Sequence, residues 1–278
     1  MTVCRRMTLP ELRLVLDWAA AEGWNPGHDD AEAFWAADPD GFFVAEADGA
    51  PVAAISVVNH SAAFAFLGLY ICRPSHRGRG IGLALWTHAL AHAGNRIVGL
   101  DGVPDQQANY ARSGFVAAGG AMRHVGRIDG QRSDRIGPAR PDDIAALLDL
   151  EARASGWGKP VYMAAWFTDA PTRHTFVLRD GGAIRGVATR RACRVGVKVG
   201  PLIAPDDATA MELLAHVAGS DDVEITVDVP LAAETFAARC SAEGMVAGFQ
   251  TARMYRGLVP AMRRGLEVSF GATSLELG

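Results

Sequence analysis

The residues best placed to do chemistry cluster at a glycine turn, Arg77-Gly78-Arg79-Gly80-Ile81-Gly82. An apolar run from Ala65 to Ile71 and a bend at Pro74 precede it. Helical apolar spacing through Leu83, Leu85, Trp86 and Leu90 follows it. Strand, glycine turn and helix together suit an anion. Glycine takes positive φ and lets the backbone approach a ligand closely. The first N–H groups of a helix have no partner inside it and sit at the positive end of its dipole. A pyrophosphate is the usual guest, and Arg77 and Arg79 could add charge-assisted contacts. The turn is not a P-loop, because no Gly-Lys-Ser/Thr follows it. It is not a dinucleotide fingerprint either, since Leu83 fills the slot of the third small residue.

Arg77, Gly80 and Gly82 match Arg-x-x-Gly-x-Gly directly after a strand. Tyr110-Ala111-Arg112-Ser113-Gly114-Phe115 matches Tyr-x-x-x-Gly-Phe further on. In this order the two resemble the acetyl-CoA pyrophosphate loop and the segment closing the cofactor site in the GCN5-related N-acetyltransferase (GNAT) superfamily. The resemblance implies an acetyl-CoA (coenzyme A) site. Its pantetheine would pair along Leu69, Ile71, Cys72 and Arg73. Its phosphates would lie at Arg77, Gly78, Arg79, Gly80, Ile81 and Gly82.

Acyl transfer from a thioester to an amine needs a polarised carbonyl, a neutral amine and a protonated leaving thiolate. Tyr110 is the expected general acid, because a phenol with a pKa near 10 carries its proton at neutral pH. Many family members take a Glu on the strand before the loop as base, but Phe64 to Ile71 contains no carboxylate. Asp101, just past the apolar strand Arg96 to Leu100, is the expected catalytic base. Asp29, Asp30, Glu46 and His60 are the other candidates. Trp24, in a Gly-Trp-Asn-Pro-Gly loop, and Asp29 after it are the expected substrate-binding residues. His88 and His92 have a spacing that can hold a metal. No third ligand accompanies them, so they read as helix-surface histidines and no metal is expected.

The chain has 278 residues, enough for two ordinary domains. Hydrophobic residues make up 49% and charged residues 21%, as in a globular protein with a real core. A net charge of −4 argues against a nucleic-acid surface. Four scattered cysteines without Cys-x-x-Cys spacing suggest a reducing compartment. No apolar run approaches the roughly 20 residues that span a bilayer. The expectation is a cytoplasmic protein without a membrane partner, a monomer or homodimer.

The patterns read as helix, helix, three antiparallel strands, helix, strand, helix and strand over about residues 1–128. The order then repeats. Gly156-Trp157 follows a helix as Gly23-Trp24 does, and Thr175 to Gly181 parallels Phe42 to Gly49 at the same offset. Where the second glycine turn should fall the chain reads Ala204-Pro205-Asp206-Asp207-Ala208. Two carboxylates and a proline do not cradle a pyrophosphate. The expected division is an N-terminal GNAT domain at 1–130 with the acetyl-CoA site and a degenerate C-terminal domain at 131–278. The fold class is α/β (α+β), each domain a mixed, mostly antiparallel sheet flanked by helices. Beyond Gly257, Leu266, Val268, Phe270, Leu275 and Leu277 show β-type alternation, which predicts an ordered tail packed back on the protein.

The resemblance covers nearly the whole chain and is similar to a tandem bacterial group. It implies an N-acetyltransferase but says little about the acceptor; the acidic net charge and the two-domain enclosure favour a small-molecule amine over a basic protein tail. A non-catalytic acyl-CoA-binding module and a protein N-acetyltransferase are the alternatives.

Overall fold

A computed structural model of the chain describes residues 2–219, 223–257 and 268–278. Leu266, part of the tail's alternating pattern, lies outside them.

The first half opens with a short strand, β1 (Val3–Arg6), which no apolar alternation announces. Helix α1 (Leu9–Ala21) starts where the capping pattern predicts. Thr8 Oγ1 accepts from the Glu11 N–H at 3.4 Å, and the Glu11 carboxylate accepts from the Thr8 N–H at 2.8 Å. Such a cap contributes about 1 kcal/mol. Its buried face is Leu12, Val15, Leu16 and Ala19. Then come α2 (Asp30–Ala37), β2 (Phe42–Ala47), β3 (Ala50–Asn59) and β4 (Phe64–Cys72). Helix α3 (Ile81–Leu90), β5 (Ile97–Gly102), α4 (Gln107–Arg112) and β6 (Val116–Gly126) complete this half.

The second half repeats the plan. It runs β7 (Ile136–Pro138), α5 (Ile144–Ser155), α6 (Pro160–Phe167), β8 (Arg173–Asp180) and β9 (Ala183–Ala192). It continues with β10 (Val197–Ala204), α7 (Asp207–Ala218), β11 (Ile225–Pro230), α8 (Glu234–Ala242) and β12 (Val246–Arg256), and the tail adds β13 (Val268–Gly271).

Among the described residues the strands form one thirteen-stranded sheet. Its order is β1-β2-β3-β4-β5-β12-β6-β11-β10-β9-β8-β7, with β13 paired to β10. The halves exchange their last strands. β12 pairs antiparallel with β5, from Arg256↔Val98 to Ala252↔Gly102. β6 pairs antiparallel with β11, from Gly126↔Ile225 to Ala121↔Pro230. β6 and β12 also pair with each other. The exchange leaves neither half with an open edge at the centre, where an unpaired ladder would invite association.

Helices α1, α2, α5 and α6 share one core across the halves, with Leu12, Phe34, Tyr162, Trp166 and Phe167 in it. The Phe34 and Trp166 rings stack with centroids 6.1 Å apart. On the opposite face, Leu85 and Trp86 of α3 cover the first half. Leu213 and Leu214 of α7 and Phe236 of α8 cover the second. The tail threads between the halves. Leu277 joins the shared core, His60 Nε2 donates to its carbonyl at 2.8 Å, and Lys159 Nζ donates to the Gly278 carbonyl.

Candidate active site

Strands β4 and β5 are parallel and paired only from Phe64↔Ile97 to Leu67↔Leu100. Beyond that point they part. A bulge marks the divergence. Ser56 faces Gly68 and Ala54 faces Ile71, so Leu69 and Tyr70 stand opposite the single residue Ile55. Leu69 adopts φ +47°, a left-handed conformation that costs a leucine about 1–2 kcal/mol. Bulges leave backbone groups off the ladder and bend the strand. Here the result is a cleft between the two strands.

Leu67 to Tyr70, Leu100 and Asp101 line the cleft from the strands. Tyr110 and Trp24 line it from the neighbouring helix and loop. Arg123 of β6 and Phe249 and Thr251 of β12 close it from the exchanged strands. Leu275 and Glu276 of the tail close the remainder. Sequence reasoning missed Arg123, Phe249 and Glu276, because nothing local in the sequence reports a strand exchange or where a tail docks.

The glycine turn lies at the far end of β4. Gly80 is the residue before α3, with φ +75°, and Gly78 has φ +73°. No side chain caps α3, and beyond the adjoining backbone nothing lies within 4 Å of where a Cβ on Gly78 or Gly80 would stand. The helix start is therefore open, which fits a diphosphate. A Cβ on Gly82 would stand 2.6 Å from the Tyr70 hydroxyl oxygen. Arg77 braces the turn: its guanidinium donates to the Cys72 carbonyl at 2.8 Å and to the Glu22 carboxylate at 2.6 Å. Arg79 is exposed beside it and Ile81 is buried at the helix start. The Arg73 N–H is tied to the Val52 carbonyl at 3.0 Å, so β3 holds the strand end in place.

The second half differs at both corresponding places. Asp206 caps α7 with its own carboxylate, which accepts from the Thr209 N–H at 2.7 Å. β10 and β11 are paired from Val197↔Ile225 to Val199↔Val227, and past them the tail fills the space. β13 pairs with β10 from Leu202 to Ala204, and the Ala272 N–H donates to the Asp228 carbonyl at 2.9 Å. So the tail occupies in the second half the opening that the first half leaves as a cleft.

Tyr110 is buried against Trp86, ring centroids 5.5 Å apart, and lines the cleft. Burial, with Tyr70 nearby, pushes its phenol well above the usual tyrosine value. It keeps its proton over the whole ordinary pH range.

Asp101 is in the cleft wall, but both its oxygens are occupied. Arg253 Nε and Nη2 each donate to one at 2.7 Å. A bidentate guanidinium takes the electron pairs a base would use, so this geometry argues against the expected base role. Of the other candidates, Glu46 accepts from Arg5 at 2.6 Å and His60 holds the tail. Asp30 accepts from the Gly27 N–H at 2.8 Å and from Arg191 at 3.0 Å.

Asp29 does not line the cleft. Its Oδ2 accepts from the Thr172 N–H and hydroxyl, both at 2.6 Å. The Trp24 loop likewise docks on the second half. The Trp24 carbonyl accepts from Lys198 Nζ at 2.7 Å, and Asn25 bonds both backbone groups of Val195. Trp24, which lines the cleft and packs on the shared core, is thereby held by residues of the other half. His88 on α3 and His92 in the turn after it set their rings edge-on to Phe43, and His92 pairs with Asp38 at 2.8 Å.

Comparisons with known proteins agree with this architecture. Residues 9–115 match the Acetyltransferase (GNAT) family and residues 147–266 match the Acetyltransferase (GNAT) domain. The chain is 33% identical over 276 residues to a holothin acyltransferase from Pseudoalteromonas sp. (strain SANK 73390), covering 98% of this chain and 92% of that protein. Among solved structures, a putative acetyltransferase from Pyrococcus horikoshii superposes with TM-score 0.80 at 16% identity, over 100% of this chain and 96% of that one. A tandem GNAT protein from the clavulanic acid biosynthesis pathway gives TM-score 0.64 at 15% identity, over 94% of this chain and 100% of that one.

The chain belongs to the GNAT superfamily. It is an acyltransferase of that superfamily built from two GNAT domains in tandem, with a mixed, mostly antiparallel sheet flanked by helices. No helix among the described residues is long and apolar enough to cross a membrane.

Proposed function

We propose that the chain is an acetyl-CoA-dependent N-acetyltransferase whose acceptor is the primary amine of a small molecule. The observation that carries this reading is one continuous path: an open glycine turn at the start of α3, a bulged β4, and a cleft with Tyr110 in its wall. Residues 78–82 would hold the phosphates with backbone N–H groups. The edge of β4 from Leu69 to Arg73 would pair with pantetheine. When bound, acetyl-CoA supplies the activated acyl group as a thioester.

The chain's own residues supply the rest. A backbone N–H released by the Leu69 bulge can meet the developing oxyanion, an effect usually worth several kcal/mol. The Tyr110 hydroxyl donates a proton to the departing sulfur. Trp24 and Phe249 offer aromatic faces to the acceptor's body, and the two-half enclosure favours a small molecule over a protein tail. Four free cysteines, Cys4, Cys72, Cys193 and Cys240, suit a reducing, cytoplasmic setting.

Calorimetry and thiol release test this reading together. Coenzyme A should bind once per chain, and some primary amine should accelerate thiol release from acetyl-CoA and gain an acetyl group. Binding without acceleration by any amine would return the chain to an acyl-CoA-binding module.

A further inference from the structure

One carboxylate that lines the cleft has an oxygen with no hydrogen-bond partner. Glu276 lies in the tail, at the end of the chain furthest from the cofactor turn in sequence, yet it lines the cleft with Tyr110 and Leu67. The residue is 3% exposed, and its Oε2 is buried without a hydrogen-bond partner. A buried, unpartnered carboxylate oxygen carries a large desolvation cost unless something binds it.

The cations nearby do not answer it. Arg123, Lys198 and Arg191 all lie within electrostatic reach of Glu276. Arg123 instead makes a bidentate pair with Asp228 at 2.7 and 3.0 Å. Lys198 donates to the Trp24 carbonyl at 2.7 Å, and Arg191 donates to Asp30 at 3.0 Å. Tyr162 of α6 also lies within electrostatic reach of it, and its hydroxyl faces Ser274 at 3.4 Å. Asp101, in the same cleft, is closed by Arg253. These pairings leave Glu276 Oε2 without a partner.

Its position suits proton removal. The Glu276 backbone packs on Gly68, and a Cβ there would stand 1.9 Å from the Glu276 carbonyl oxygen. Gly68 follows Leu67, the last residue of β4 paired with β5. The Glu276 backbone thus crosses β4 where β4 and β5 part, and the residue lines the cleft that opens there.

We infer that Glu276 is the catalytic base, the carboxylate that takes the proton from the acceptor's ammonium. The inference rests on the N-acetyltransferase reading above. An alkyl amine with a pKa near 10.4 is about 1000-fold more protonated than free at neutral pH, so it needs such a group. One ammonium proton passes to Glu276, directly or through one water. The neutral nitrogen forms a C–N bond to the acyl carbon as the C–S bond of the thioester breaks. The sulfur takes the Tyr110 proton, and the second proton lost by nitrogen returns to Tyr110. The products are the amide, the free thiol and one proton that Glu276 passes to solvent.

The test uses the full chain with acetyl-CoA and two probe sets, alkyl primary amines and anilines, followed by thiol release. Anilines are neutral at pH 7 and need no initial deprotonation. Glu276→Gln should lower kcat/KM for alkyl amines about 100-fold or more and remove the acidic limb of the pH profile. The loss with anilines should be much smaller, and coenzyme A affinity should be unchanged. Equal turnover in wild type and Glu276→Gln would overturn the assignment and leave the enzyme reading intact. So would an equal loss on both amine classes with cofactor binding preserved, which marks a packing role. A wild-type chain that no amine accelerates would overturn the enzyme reading and this inference with it. If Glu276→Gln fails to bind coenzyme A, Glu276→Asp decides. Its alkyl-amine profile should keep an acidic limb, and a profile without one overturns the proposal.

Discussion

The Glu276 carbonyl oxygen occupies the place a side chain on Gly68 would need: an ideal Cβ there would be 1.9 Å away. A glycine in β4 thus lets the far end of the chain cross the strand at the mouth of the cleft. Gly68→Ala forces the two apart. It should destabilise the fold by about 1–3 kcal/mol, as overpacking does. It should also lower amine-dependent turnover by displacing Glu276. Thermal melting and thiol release check this, and an unchanged melting temperature would show that the tail is not held there.

Gly80→Trp should abolish coenzyme A binding. The residue has φ +75°, which is strained for tryptophan, and the new ring would fill the open helix start. Calorimetry should show one site in the wild type and none in the variant. Residual binding would point to a second site, and the capped start of α7 at Asp206 would then need re-examination.

Tyr110→Phe should lower kcat while leaving coenzyme A affinity nearly intact, because only the transition state uses the hydroxyl. A loss of about 10–100-fold is expected. Since burial raises the phenol's pKa, no alkaline limb from Tyr110 should appear below pH 10. Wild-type turnover in the variant would make Tyr110 a packing residue on Trp86.

Much of the fold was legible in sequence, and the limits have physical causes. Thr8 and Glu11 form the expected capping box, and the spacing of Leu12, Val15 and Leu16 marks the buried face of α1. The glycines of the turn were legible because positive φ demands them. Strand β1 was not, because Arg5 and Arg6 pair with carboxylates instead of alternating with apolar residues. The exchange of β6 and β12 was not legible, because antiparallel pairing leaves the same period-two pattern whichever half supplies the partner. Val268 and Phe270 alternate as a strand must, but alternation does not say that β13 lies on β10. That is why the sequence did not bring Glu276 to the cleft that Asp101 was expected to serve.

Asp101→Asn separates those two carboxylates. It leaves the Arg253 guanidinium without its counter-ion, and breaking such a pair costs about 3–5 kcal/mol when buried. The variant should melt at lower temperature, yet the protein that remains folded should keep the wild-type pH profile. Loss of the acidic limb in Asp101→Asn would restore Asp101 as the base.

His60 makes stability depend on pH. Burial, with Lys159 nearby, holds its pKa down to about 3, against an ordinary value of 6.5. The unfolded chain therefore binds a proton below pH 6.5 that the folded chain refuses until about pH 3. Stability is full above pH 6.5 and falls as the pH drops towards 3, by on the order of 2 kcal/mol at pH 5. His60→Gln should flatten this part of the melting profile. An unchanged slope would show that the titration belongs to other groups.

The most direct measurement is a structure of the chain bound to coenzyme A. The pyrophosphate should lie on the N–H groups of residues 78–82, and pantetheine should run along β4. The sulfur should enter the cleft beyond Leu67 and Leu100, within reach of the Tyr110 hydroxyl. A cofactor bound at the second half, or one whose sulfur ends outside that cleft, would contradict the assignment of the active site.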